Sequence, residues 1–93
     1  MAYHHVASVI LPDRSDILFE SGMMVYQDMP SEMWYVMLNF MNDYLWFEQF
    51  TARDAFEIIV VTEGSHFFQG PVSIERYEPE NVLLQGCGQL VEL

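Results

Sequence analysis

Three histidines and one cysteine are the residues of this chain best suited to metal or nucleophilic chemistry. His4 and His5 are neighbours, and adjacent residues on a strand point to opposite faces, so they are not expected to share one metal ion. His66 stands alone, and no H-x-E, C-x-x-C or H-x3-H spacing occurs. Cys87 lies between two glycines without a basic neighbour, which favours a structural cysteine over a nucleophile. These observations predict a protein that is not an enzyme and holds no metal or cofactor.

Carboxylates are the other chemically active groups, and their number dominates the composition. The chain has 14 Asp and Glu against three Lys and Arg, all of them arginine, for a formal net charge of −11. Most carboxylates therefore lack a cationic partner within the chain, and the resulting negative potential favours basic partners. Direct binding to nucleic acid or to an anionic membrane is disfavoured. The alternative explanation is solubility, which added carboxylates improve.

Two groups of carboxylates are close enough along the chain to form binding patches. Residues two apart on a strand lie about 6–7 Å apart, close to the spacing of successive phosphates on a nucleic-acid strand. A rigid acidic surface can therefore occupy a groove built for a phosphate backbone, where arginine and lysine pair with carboxylates through charge-assisted hydrogen bonds. A solvated loop or sheet edge is the alternative for each group. The predicted partner-binding residues are Asp13, Asp16, Glu20, Glu75, Glu78 and Glu80.

The elements that position these groups begin with strands. Residues 5–11 are rich in β-branched side chains and are followed by Pro12 and Asp13, which predicts a first strand and a turn. Residues 16–27 carry two apolar runs on either side of Gly22. This pattern fits a strand with a central bulge or a short helix, and we favour the strand.

A long α-helix is predicted over residues 31–50. Ser31 can cap its N-terminus and Glu32 lies in the first turn, while no Gly or Pro interrupts the residues that follow. Apolar residues occupy most of its helical wheel, so its apolar surface is larger than a single sheet can cover. Either strands wrap this helix more fully or its surplus face meets a second copy or another partner. The predicted interface residues are Trp34, Met37, Met41 and Trp46.

The remaining chain predicts an antiparallel sheet. Residues 56–62 form a strong strand, residues 63–65 a hairpin turn, and residues 66–77 a returning strand in which Val72, Ile74 and Arg76 share one face. A turn near residue 80 precedes a last strand that is broken at Gly86, Cys87 and Gly88. The predicted order is β-β-α-β-β-β, an α+β fold with one long helix on an antiparallel sheet of about four to five strands. We expect residues 1–93 to form a single domain.

Localisation and function follow from composition. The N-terminus lacks the features of a signal peptide and no apolar run is long enough to span a bilayer, so a cytoplasmic protein is expected, in the host cytoplasm if it is viral. In composition the chain resembles the small acidic proteins with which phages and plasmids block host nucleic-acid enzymes: nucleic-acid mimics, anti-CRISPR proteins and antirestriction proteins. This resemblance implies an inhibitor that occupies the basic nucleic-acid-binding surface of a larger protein. The alternative is an assembly protein that forms a homodimer or larger homo-oligomer through the apolar segment 31–50.

Overall fold

The computed structural model describes residues 2–27, 33–40 and 55–93. These residues form seven strands and no helix: β1 Ala2–Ile10, β2 Ser21–Tyr26, β3 Trp34–Asn39, β4 Phe56–Thr62, β5 Phe67–Glu78, β6 Asn81–Gly86 and β7 Val91–Glu92. In the same part of the chain, no helix has the length and hydropathy needed to cross a membrane.

Six of the strands close into an antiparallel barrel. β1, β2 and β3 form one meander, and β4, β5 and β6 form a second. The two meanders meet twice, because β1 pairs with β4 and β3 pairs with β6. Each of these six strands therefore has a neighbour on both sides, which removes the exposed edges of an open sheet. β7 follows β6 and pairs with the first half of β5, where Gln69 lies opposite Val91.

The interior of the barrel is filled by alternate residues of every strand. In one row across the sheet, Met24, Val36 and Leu84 lie side by side and are fully buried. Phe68 and Trp34 are the largest of the fully buried side chains. Because successive residues of a strand point to opposite faces, the residues between these positions face outward.

The predicted α+β fold is wrong. Trp34–Asn39, within the predicted helix, is strand β3, which pairs with β2 on one side and β6 on the other. Trp34, Val36 and Leu38 are buried in strict alternation with more exposed residues. High Met and Leu content suggested a helix, but pairing on both sides and burial of every second residue override that propensity. Residues 31, 32 and 41–50 lie outside the described residues.

Several strand predictions are confirmed. Within residues 16–27, the strand is confirmed only from Ser21, and its pairing with β3 passes Gly22 without the predicted bulge, while Asp16 forms only an isolated bridge with Ile10. The hairpin turn lies where expected, with the Ser65 amide donating to the Thr62 carbonyl over 3.0 Å. The last strand is interrupted between β6 and β7, as predicted.

Candidate functional site

The structure brings the two predicted acidic groups to the same end of the barrel. The first group lies between β1 and β2, and the second lies in the β5–β6 hairpin. Both adjoin the end of β3: the Glu20 amide donates to the Asn39 carbonyl over 3.0 Å, and the Phe40 amide donates to the Glu80 carbonyl over 3.2 Å. We call this surface the acidic end, formed by Asp13, Asp16, Glu20, Glu75, Glu78 and Glu80.

A row of polar side chains links the two groups across the outside of four strands. Ser21, Asn39, Asn81 and Glu78 lie in register on β2, β3, β6 and β5. The side-chain Nδ2 of Asn39 donates to Ser21 Oγ over 3.2 Å, and the side-chain Nδ2 of Asn81 donates to Asn39 Oδ1 over 3.2 Å. Neighbouring strands lie about 4.8 Å apart, so Ser21 and Glu78 are separated by roughly 14 Å along the sheet. The spacing between the two groups is therefore set by paired strands.

The first acidic group is held by a tight turn after β1. Ser15 donates to Asp13 Oδ1 twice, from its amide over 3.0 Å and from its hydroxyl over 2.6 Å. Arg14 between them has a φ of 69°, a left-handed conformation that few non-glycine residues adopt. Ser8 on β1 donates to Asp16 Oδ1 over 3.3 Å. Both aspartates are exposed, and these bonds to their Oδ1 atoms fix the orientation of the carboxylates.

The second acidic group begins at a β-bulge. The register between β5 and β6 shifts between Ile74 and Arg76, which leaves Glu75 as the extra residue. Strict alternation would have placed Arg76 on the same face as buried Ile74, where an unpaired guanidinium is costly. The bulge turns Arg76 outward, opposite Leu83, and Glu75, Glu78 and Glu80 are all exposed.

The two described arginines do not pair with the second acidic group. Within residues 2–27, 33–40 and 55–93, neither Arg14 nor Arg76 forms an ion pair with Glu75, Glu78 or Glu80, and the one ion pair found there joins His66 to Glu92. Three exposed carboxylates that form no ion pair with a described arginine produce a negative potential that extends into solvent. The acidic end is therefore suited to attract a basic surface.

The two predicted interface residues that the structure describes point in opposite directions. Trp34 is 1% exposed and points into the barrel, where its Nε1 donates to the Gly88 carbonyl over 2.8 Å. Met37 faces outward and lies between Met23 of β2 and Leu83 of β6. Trp34 therefore contributes to the core, while Met37 belongs to the outer surface.

Met41 and Trp46 lie outside the described residues. Because β3 replaces the first part of the predicted helix, the homo-oligomer hypothesis loses the helical face on which it depended. Contact between these residues and a partner stays a prediction.

Sequence reasoning missed a cluster of rings at the opposite end of the barrel. His4 and His66 have ring centroids 6.0 Å apart, and both contact Phe68, at 5.5 and 6.4 Å. His4 Nε2 also lies 3.1 Å from the Tyr26 hydroxyl, and His66 Nδ1 lies 3.1 Å from Glu92 Oε2. We call these five residues the imidazole end. His66 and Phe68 are two residues apart, but the pairing of β1 with β2 and β4, and of β5 with β7, brings the other members to them, so no sequence motif joins the five residues.

Metal binding is not supported at this cluster. Among the described residues, no group of three His, Cys, Asp or Glu is arranged to hold a metal ion. The side chains instead pair with one another and cover Phe68, which is 1% exposed. The arrangement closes the barrel at this end.

The Gly86-Cys87-Gly88 segment has a packing role. A Cβ atom at Gly86 would lie 2.3 Å from Trp34 Nε1, and one at Gly88 would lie 2.5 Å from Pro71 Cγ. The Cys87 amide donates to the Pro71 carbonyl over 3.0 Å, and its side chain is exposed. The two glycines thus make room for the tryptophan and the proline that pack beside this segment.

Comparisons of the chain with protein-family models, with curated proteins and with solved structures found no match.

Proposed function

We propose that this protein is a small acidic binding protein, not an enzyme, that inhibits a larger protein by occupying its basic nucleic-acid-binding surface. In this role it acts as a nucleic-acid mimic, like the anti-CRISPR and antirestriction proteins of phages and mobile elements. It works in the cytoplasm and binds no nucleic acid itself. The observation that supports the proposal is the meeting of two acidic groups, distant in sequence, at one end of a closed barrel.

The geometry of the acidic end is suited to mimicry. Its carboxylates lie on a bulged strand, a tight turn and a hairpin, all anchored by backbone pairing or by side-chain hydrogen bonds. Preorganised charges lose less conformational entropy on binding than those of a disordered tail. Arginine and lysine side chains of a basic groove can meet them through charge-assisted hydrogen bonds.

The long-range field adds speed to this recognition. A net charge of −11 on a chain of 93 residues attracts a basic partner from a distance. Electrostatic steering raises association rates and makes binding sensitive to salt. Steep weakening of binding with salt is therefore the expected signature of this function.

The experiment that tests the proposal is capture from a bacterial lysate on the immobilised protein at low salt, followed by a salt step. The expected result is that one or two nucleic-acid-binding proteins elute and that the added protein blocks their binding to DNA or RNA. Recovery of only generic basic proteins, such as ribosomal proteins, would show that the acidity serves solubility.

Two variants of equal charge separate position from total charge. The first replaces Glu78 and Glu80 by Gln at the acidic end. The second replaces Glu63 and Glu92 by Gln at the opposite end of the barrel, and all four residues are exposed. The proposal expects the first variant to lose the captured protein at lower salt than the second. Equal losses would contradict a localised site.

A further inference from the structure

The outer face of β2, β3 and β6 carries an apolar band beside the acidic end. Met23, Met37 and Leu83 lie in register across the three strands, next to the polar row. The following outward row contains Val25, Tyr35 and Gln85. All of them face away from the barrel interior. The band thus continues the surface that presents the acidic end.

A groove of about 240 Å³ opens at the far side of this band. Tyr35 in its wall is 36% exposed, and Tyr3, the cross-strand neighbour of Val25, is 65% exposed. The groove is smaller than the roughly 300–1,000 Å³ pockets that take small molecules. Its size suits one or two side chains of a protein partner. Its lining residues are Val25, Tyr26, Gln27, Met33, Trp34, Tyr35 and Gln85.

Charge decides which partner fits the groove. A second copy would bring another net charge of −11 against this surface, and like charges brought together across an interface are unfavourable. Arg76, beside Leu83, is the cation that the described residues place on this face. Exposed tyrosine faces attract guanidinium and ammonium groups. The surroundings therefore favour a cationic segment.

We propose that the groove receives an apolar side chain, flanked by arginine or lysine, from the same basic partner that the acidic end attracts. The inference rests on the proposed function and divides its interface into two parts. Tyr35 and Asn39 are about 13 Å apart along β3 at roughly 3.3 Å per residue. Both parts fit within one interface of ordinary size, about 800 Å² on each partner. The carboxylates supply the salt-sensitive attraction and the groove supplies a salt-resistant contact.

Two peptides of equal charge test the groove directly. Each has three arginines on either side of a central pair, which is Leu-Leu in one and Gly-Gly in the other. Fluorescence anisotropy is expected to show that the protein binds the leucine peptide about tenfold more tightly, because apolar surface is buried. The ratio is expected to persist at 0.5 M NaCl. Equal affinities would overturn the proposal.

Variants of the groove locate the effect. Tyr35→Ser is expected to reduce the ratio of the two affinities to less than about threefold. Tyr77→Ser, which changes a tyrosine of similar exposure on β5, is expected to leave the ratio unchanged. If Tyr35→Ser does not fold, Val25→Thr replaces it, since threonine keeps the shape of valine and adds a hydroxyl. Retention of the full ratio in the folded groove variant would also overturn the proposal.

The acidic-end variant separates this inference from the proposed function. Replacing Glu75, Glu78 and Glu80 by Gln is expected to weaken both peptides by the same factor and to preserve their ratio. If both affinities stay unchanged while the leucine preference remains, the acidic end fails and the groove stands. If both affinities fall and the wild-type protein has no leucine preference, the groove fails and the acidic end stands.

Discussion

The two ends of the barrel use their polar residues in different ways. At the acidic end, the carboxylates are exposed, and the hydrogen bonds around them fix turns and strand ends. At the imidazole end, His4 and Tyr26 pair with each other and pack around Phe68, close to buried Trp34. One end therefore packs rings against the core, while the other presents exposed carboxylates. Because these two groups of residues lie at opposite ends of the barrel, mutations in them are expected to have separable effects.

The largest effect is expected from removal of Trp34. Trp34→Ala is expected to lower the free energy of unfolding by about 3–5 kcal/mol, because it removes a buried aromatic ring and the hydrogen bond to Gly88. Tyr35→Ala, which changes the next residue on the outer face, is expected to cost less than about 1 kcal/mol. Urea unfolding followed by circular dichroism measures both values. Similar losses for the two variants would contradict the assignment of this end to stability.

A smaller loss is expected at Gly86. Gly86→Ala places a methyl group against the Trp34 ring, and such overpacking is expected to cost about 1–3 kcal/mol. Gly64→Ala is the control, because its Cβ would meet nothing closer than His66 Cδ2 at 3.4 Å. The midpoint of urea unfolding is expected to fall for the first variant only. Unchanged stability of Gly86→Ala would mean that the ring does not lie against this glycine.

The acidic end is expected to respond in the opposite direction. Replacing Glu75, Glu78 and Glu80 by Gln relieves repulsion among neighbouring carboxylates and is expected to raise stability by less than about 1 kcal/mol at low salt. The gain should shrink at 0.5 M NaCl, where charges are screened. Unfolding curves at the two salt concentrations provide the comparison. A loss of stability would show that these carboxylates support the fold.

The smallest effect is expected at the exposed pair of His66 and Glu92. The side chains of His66 and Glu92 are 54% and 49% exposed, so water screens the contact between them. Glu92→Gln is expected to change the free energy of unfolding by about 0.5 kcal/mol or less at neutral pH. Denaturant titration of the variant and the wild-type protein measures the difference. A larger loss would give this pair a structural role that its exposure does not suggest.

The sequence predicted the strands of the second meander well. Residues 58–62 are all β-branched, a composition typical of strands, and β4 occupies the predicted range 56–62. The break at the two glycines was visible because glycine interrupts the pattern of a strand. These features depend on residues that are close together in the chain, so a single sequence is enough to predict them.

The error over residues 34–39 has a physical cause. The segment contains good helix-forming residues and no Gly or Pro, and its continuation to residue 50 suggested one long element. The alternation of Trp34, Val36 and Leu38 was the signal for a strand, but it covers only six residues. Pairing with β2 and β6 decides between the two structures, and it depends on contacts distant in sequence.

The residues of the acidic end were predicted from the sequence, but their arrangement in the structure was not. Both acidic groups were identified, yet their meeting at the end of β3 depends on barrel closure. The predicted alternation put Arg76 on the same face as Ile74, because it did not include the bulge at Glu75. A charged residue on a buried face was the sign that the alternation breaks at this point. The imidazole end was missed entirely for the same topological reason.

The proposed function requires that the position of the carboxylates, beyond their number, determines binding. The most direct test is the affinity for the arginine peptide with the central Gly-Gly pair, measured by fluorescence anisotropy at several salt concentrations. The wild-type protein is compared with the two double Glu→Gln variants of equal charge. The variant at Glu78 and Glu80 is expected to lose several-fold more affinity and to have a shallower salt dependence than the variant at Glu63 and Glu92. Equal affinities and equal salt slopes for the two variants would contradict the proposed function.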